Sequence, residues 1–166
     1  MTGATAILTA LITGRQSYRA ARYQIDRTAA ERRADALRDT RRAAYTALTD
    51  AAHELGSIYG DVTQIIGPPP HPEAVPALKT CDRDLRRIYH EAFRPALERV
   101  ALEGPDDVVE ATYALRYTVR DLRRTVGALV DGVDDAALIE RFRQRKDQLW
   151  TQLEYFTERG RRAITD

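Results

Sequence analysis

From Asp106 to Val133, the positions Val108, Thr112, Leu115, Val119, Leu122, Val126, Leu129 and Val133 recur at alternating steps of four and three. That unbroken heptad seam predicts a helix buried along one narrow stripe against neighbouring helices. Asp107 with Glu110 three residues on reads as a capping box opening this helix, and Gly132 reads as its end. Two long helical patterns precede the seam and one follows it. The first carries Leu37, Ala44, Leu48, Ala51, Leu55, Ile58, Val62 and Ile65 on one side. It also presents Ala52, Gly56 and Gly60 at spacing four, either a small-residue face for close approach of a neighbour or the place where the helix breaks. The run Gly67-Pro68-Pro69-Pro70-His71-Pro72 stops it, because consecutive prolines cannot donate to a helical ladder.

The second pattern runs from about Glu73 to Glu103 with a stripe of Leu78, Cys81, Leu85, Ile88, Tyr89, Ala92, Ala96 and Val100. Pro76 fits its first turn, whereas Pro95 falls in its interior and predicts a kink. After the seam helix, Asp134 or Asp135 caps the last one. Its predicted buried face is Leu138, Ile139, Phe142, Leu149, Trp150, Leu153 and Phe156, with fraying after Gly160. Short connections force consecutive helices to lie antiparallel. The expected fold is all-α, an up-down antiparallel four-helix bundle.

The first helix is expected to be much longer than its neighbours. At ~1.5 Å per residue the later helices span about 40–46 Å, while residues 4–66 as one helix would reach roughly 95 Å. Residues 1–35 are therefore read as a helical extension and residues 36–166 as the bundle, unless a bend near Gly14 folds the front segment back. The extension begins with the apolar run ATAILTALI at 4–12, where Thr5, Thr9 and Thr13 oppose Ile7, Leu8, Leu11 and Ile12. That run is far short of the ~20 residues that cross a bilayer. A stalk from Arg15 to Arg42 follows, with nine Arg against Asp26, Glu31, Asp35 and Asp39. Its high Ala and Arg content sustains a helix by propensity.

Composition adds little to this picture and removes much. The 166 residues carry a net charge of +1, so whole-chain electrostatics argues for neither nucleic acid nor an anionic membrane. Of the 26 basic residues only Lys79 and Lys146 are Lys, a bias that a GC-rich genome explains as well as any need for bidentate pairing. One cysteine, Cys81, leaves no intrachain disulfide or Cys-rich zinc site and fits a reduced cytoplasm. The N-terminus has no basic segment before its apolar run, unlike a secretory signal.

No Glu stands three residues before His53, His71 or His90, so the Glu-x-x-His motif of a di-iron bundle is missing. There is no glycine-rich phosphate loop, nucleophile elbow or His-Glu-x-x-His zinc motif. Cys81 reads as a small buried hydrophobe. Tyr45, Tyr59, Tyr89, Tyr113 and Tyr117 are expected at helix flanks with their hydroxyls near water. No catalytic residue, cofactor or metal is expected.

The run RRAAYTALTDAAHEL at 41–55, after an Arg-rich helix and a short apolar N-terminus, resembles small uncharacterised helical proteins of actinobacteria. Many of those carry a full transmembrane segment where this chain has only ATAILTALI, and the resemblance implies no activity. Three functional readings stand. The first is a non-enzymatic interaction or oligomerisation module that binds a protein partner or a second copy through Ile7, Leu8, Leu11, Ile12, Tyr18, Tyr23 and Ile25. The second is nucleic-acid binding, with phosphate contacts from Arg15, Arg19, Arg22, Arg32 and Arg33 and their neighbours Arg27, Arg38, Arg41 and Arg42. The third is peripheral attachment to a membrane surface through residues 4–12.

Overall fold

The seam helix, here α4 (Asp106–Asp131), is buried along its predicted stripe: Val108, Leu115, Val119, Leu122, Val126 and Leu129 are fully shielded from solvent. In the computed structural model, which describes residues 3–67 and 73–165 and side chains from Arg22 onward, the other helices are α1 (Gly3–Ile65), α2 (Ala74–Ile88), α3 (Arg94–Glu103) and α5 (Ala136–Thr165). A π turn, Tyr89–Phe93, joins α2 to α3 without a break, so the described residues form four helical rods and contain no strand. The protein is an all-α helical bundle. The predicted proline turn at 68–72, with His71, lies outside the described residues.

The chain divides into two compact units, Met1–Asp39 and Thr40–Asp166. In the second unit, Leu48, Leu55, Tyr59 and Val62 of α1 share one apolar core with Leu78, Leu85, Phe93 and Val100 of the α2–α3 rod. The α4 seam and Phe142, Leu149, Leu153 and Phe156 of α5 complete it. Each fully buried side chain of this kind is worth roughly 1.5–3 kcal/mol. Thr112, Thr118 and Thr125 widen the α4 stripe. Their hydroxyls donate to the carbonyls of Val108, Ala114 and Asp121 at 2.8, 3.2 and 3.0 Å, so no polar group is left unmatched by their burial.

Where the sequence predicts a kink at Pro95, the rod has that π turn. A proline in a regular helix lacks its N–H and collides with the carbonyl four residues back. Here the Arg94 N–H donates to Tyr89 O, five residues back, which inserts one extra residue just before the proline. The insertion shifts the buried stripe by one position. Beyond Tyr89 the predicted stripe is Ala92, Ala96 and Val100; the structure buries Ala96 and Val100 together with Phe93 and Leu97, and leaves Ala92 half-buried and Arg99 exposed. Phe93 and Leu97, overlooked in the sequence pattern, are core residues for this reason.

Several expectations need correction. Tyr45, Tyr59 and Tyr89 are buried, not flanking. The Tyr59 hydroxyl donates to Val119 O at 3.4 Å, and burial holds its pKa well above the ordinary tyrosine value. The Tyr45 ring meets Phe156 edge-on at 5.9 Å and lies against Gly160, where an added Cβ would come within 3.1 Å of it. That contact, with Ala163 and Ile164 packed on the core, keeps α5 helical to Thr165 instead of fraying at Gly160. Leu37 is exposed, because the packed part of α1 begins at Ala44. The capping box of α4 does not form: Pro105 occupies the cap, its carbonyl accepts from Val108 and Val109, and Asp107 pairs with Arg159 of α5 at 3.1 Å. Asp135 does cap α5, accepting from the amides of Ala137 and Leu138 at 2.9 and 3.2 Å.

Neither Gly56 nor Gly60 breaks α1, and Gly14 also lies within its span. The two core-side glycines differ in kind. A Cβ at Gly56 would sit 2.5 Å from the end of the Trp150 indole, while a Cβ at Gly60 would meet nothing within 4 Å. Gly56 thus admits a side chain, not a neighbouring backbone, and Trp150 stays partly exposed over it. Gly60→Ala is expected to raise stability by about 0.5–1 kcal/mol through helix propensity. Gly56→Ala should lower stability by about 1–2 kcal/mol net, through displacement of the indole. It should also shift the emission of Trp150, the single tryptophan of the chain. Urea unfolding of both variants checks the opposite signs.

Candidate functional site

The predicted partner-binding residues Ile7, Leu8, Leu11, Ile12 and Tyr18 have side chains outside the described residues, as do Arg15 and Arg19. The remaining ones can be placed. Tyr23 is 71% exposed and Ile25 68% exposed on α1. Every side chain from Arg22 to Thr40 is exposed except half-buried Ala29. Large apolar side chains held open on a helix surface are common singly, but here they line a helical stretch of nearly twenty residues whose own side chains bury almost nothing.

The arginines of the same stretch are also exposed, including Arg22, Arg32 and Arg33. They alternate with carboxylates, and Arg27–Glu31 at 3.0 Å and Arg38–Asp35 at 3.5 Å are paired along the helix. Exposed pairs of this type add only a few tenths of a kcal/mol. Arg41, counted by the sequence among the phosphate candidates, has a structural task. Its Nε donates to Glu103 O at 2.7 Å, satisfying a carbonyl at the C-terminal end of α3 that has no partner within its own helix. The phosphate reading of the helix therefore loses one cation to the bundle and has two others partly neutralised.

Within Thr40–Asp166 a second concentration of charge appears, which the pattern of hydrophobic positions did not single out. Arg120, Arg123, Arg124 and Gly127 of α4 follow at i, i+3, i+4 and i+7, so they share one face. Asp82, Arg86 and Tyr89 of the α2–π rod face them across an open cleft of about 420 Å³. The Arg123 guanidinium carbon lies over the Tyr89 ring, 4.2 Å from its centroid. Its Nε is buried without a hydrogen-bond partner among the described residues. Asp82 is engaged by Arg86 at 2.8 Å. The signal was legible as a cluster R-x-x-R-R on one helix, but its meaning depends on Asp82, Arg86 and Tyr89, more than thirty residues away.

Among the described residues, His53, His90 and Cys81 come together with nothing reactive. His53 is exposed beside Trp150, ring centroids 5.6 Å apart, and His90 packs edge-on to Tyr89 at 5.2 Å. Among the described residues no three His, Cys, Asp or Glu side chains gather closely enough to hold a metal ion. No helix among them is long and apolar enough to cross a membrane.

Three comparisons were made, against protein-family models, curated proteins and solved structures, and none gives a match to this chain. The arrangement of residues itself is thus what carries the functional reading.

Cys81 is buried on the α2 stripe, and its thiol pKa is raised by burial and by the nearby carboxylates of Asp61 and Asp84. A raised thiol pKa means less thiolate at a given pH. Alkylation of the folded protein by iodoacetamide near pH 8 is expected to be at least about tenfold slower than that of a free thiol, because less thiolate forms and burial keeps the reagent out. The rate should climb with pH and approach the free-thiol value in urea. Mass spectrometry of timed aliquots measures it.

Proposed function

We propose that this protein is a non-enzymatic helical interaction module that docks through the N-terminal half of α1. The observation that carries the reading is the stretch from Arg22 to Thr40, helical throughout, exposed almost throughout, and presenting Tyr23, Ile25 and Leu37 to solvent. A helix gains most of its stability in water from packing an apolar face, and propensity alone makes isolated helices marginal. Ala-rich composition and local ion pairs give this stretch some support; a partner helix lying along it would give the rest, meeting Ile25 on one face or Tyr23 on the other, since residues two apart on a helix point to nearly opposite sides. Ile7, Leu8, Leu11, Ile12 and Tyr18, read from the sequence, belong to the same proposed docking segment. The partner is a second copy of the chain or another protein offering an apolar helical stripe. The mixed signs between Arg22 and Asp39, five Arg against four carboxylates, are compatible with pairing across a helix–helix seam. They favour phosphate tracking much less, since a polyanion would meet four repelling carboxylates along the same length. In this reading the protein works in the cytoplasm, where its lone thiol stays reduced.

Static light scattering on the full chain over a range of concentrations is expected to give a mass above the monomer, or a monomer that shifts when a partner is added. The double substitution Tyr23→Glu/Ile25→Glu should abolish either effect while leaving the helical circular-dichroism signal of the bundle intact. A chain beginning at Ala34 should behave like the double variant. Monomeric masses for all three, with no partner retained by the full chain alone, would leave the proposal without support. A low-salt gel shift in which DNA or RNA is retarded by the full chain and not by Arg22→Gln/Arg32→Gln/Arg33→Gln would transfer the function to the nucleic-acid reading.

A further inference from the structure

The cleft between α4 and the α2–π rod is a second site, independent of the α1 surface. Four guanidiniums and one carboxylate line it, a formal surplus of three positive charges in about 420 Å³. Most exposed arginines of this chain have a carboxylate three or four residues away, as in Arg27–Glu31, Arg94–Glu98 and Arg161 and Arg162 with Glu158. In the cleft, Arg120 and Arg123 have no carboxylate at that spacing, and Asp121, three residues before Arg124, pairs with Arg145 instead at 3.4 Å. The cleft's one carboxylate, Asp82, is taken by Arg86, and Arg120, Arg123 and Arg124 have no ion-pair partner among the described residues. Arg120 and Arg124, at i and i+4, repel one another, a cost of a few tenths of a kcal/mol.

Arg123 shows that the cluster is built and not only solvated. Its guanidinium is fixed against the buried Tyr89 ring, with Nε sealed from water and unbonded. Burying an unmatched donor of a charged group is unfavourable unless a ligand supplies the missing acceptor or negative potential. A planar guanidinium held in place in this way is preorganised for bidentate contact with an oxyanion. Charges of one sign on low-dielectric walls also focus the potential in the gap.

We propose that this cleft binds a small polyphosphate anion, a molecule carrying two or more linked phosphates. A single carboxylate or monophosphate would satisfy only one or two of the four guanidiniums. The arginine row spans barely more than one helical turn, so it suits a compact anion and offers no track for a nucleic-acid backbone. The volume lies within the ordinary range of small-molecule sites.

The test uses the full chain and inorganic tripolyphosphate as the probe, by isothermal titration calorimetry at low salt and by thermal unfolding. Saturable one-site binding is expected, with a rise in melting temperature. Arg120→Gln/Arg124→Gln changes only exposed side chains; it should weaken binding about tenfold or more and raise the melting temperature of the free protein by relieving the repulsion. Arg123→Gln should weaken binding to a similar extent. Arg141→Gln/Arg143→Gln, two exposed positions on α5 outside the cleft, should leave the affinity unchanged. Absence of saturation, equal weakening by the α5 pair, or binding of a single-stranded oligonucleotide that tripolyphosphate cannot displace would each overturn the proposal.

Discussion

Dry packing along α4 is the constraint from which the rest of the bundle follows. From Val108 to Leu129 its stripe is closed to solvent, and the three threonines that widen it bond to their own helix backbone. A face of that length cannot be covered by one neighbour. The α2–α3 rod, α5 and the packed half of α1 all contribute side chains to the single core that covers it. Cross-helix polar contacts then fix register around a seal already made: Asp121 with Arg145 at 3.4 Å, Asp107 with Arg159 at 3.1 Å, and Lys146 donating to Thr63 at 3.0 Å. These are partly exposed and individually weak, so they select an arrangement more than they stabilise it.

The demands of that seal explain the π turn. Below Ile88 the second rod presents Leu78, Cys81, Leu85 and Ile88 in heptad phase; above Phe93 it presents Phe93, Ala96, Leu97 and Val100, one position late. A regular helix would have put the Pro95 ring against a carbonyl and brought Arg99 closer to the buried stripe. One inserted residue resolves both conflicts at once. It also leaves Tyr89 buried at the point of insertion, where its ring stacks with Phe93 at 5.7 Å and supports Arg123. The irregularity that keeps the core continuous is the same feature that shapes the arginine cleft.

Periodicity made the helices and most of their buried faces legible, because a heptad seam is a local property of the chain. The α4 stripe, the α1 face from Ala44 onward and the cap at Asp135 are of this kind. What the sequence hid depended on distant neighbours. Tyr59 reads as an amphipathic flank residue until the carbonyl of Val119, sixty positions away, is seen to accept its hydroxyl. Gly56 reads as a backbone crossing until Trp150 is found lying over it, and Gly160 reads as a fraying point until the Tyr45 ring fills the space beside it. The Asp107–Glu110 pattern had the right spacing for a capping box, but Pro105 supplied the cap and Arg159 claimed the aspartate.

Arginine shows the same limit most sharply, since one residue type serves several purposes within this one chain. Arg27 and Arg38 pair along a helix in water, Arg145 and Arg159 tie α5 to α4, and Arg41 closes the end of α3. Arg123 lies on an aromatic ring with a donor unused. A count of basic residues along the sequence points to the stalk at 15–42, where the linear density is highest. Electrostatic potential follows unneutralised charge in three dimensions, and by that measure carboxylates dilute the stalk while the α2–α4 cleft concentrates three unpaired cations against a low-dielectric wall. The two proposals thus assign a helix partner to the stretch with the most arginine and an anion to the place where few arginines converge.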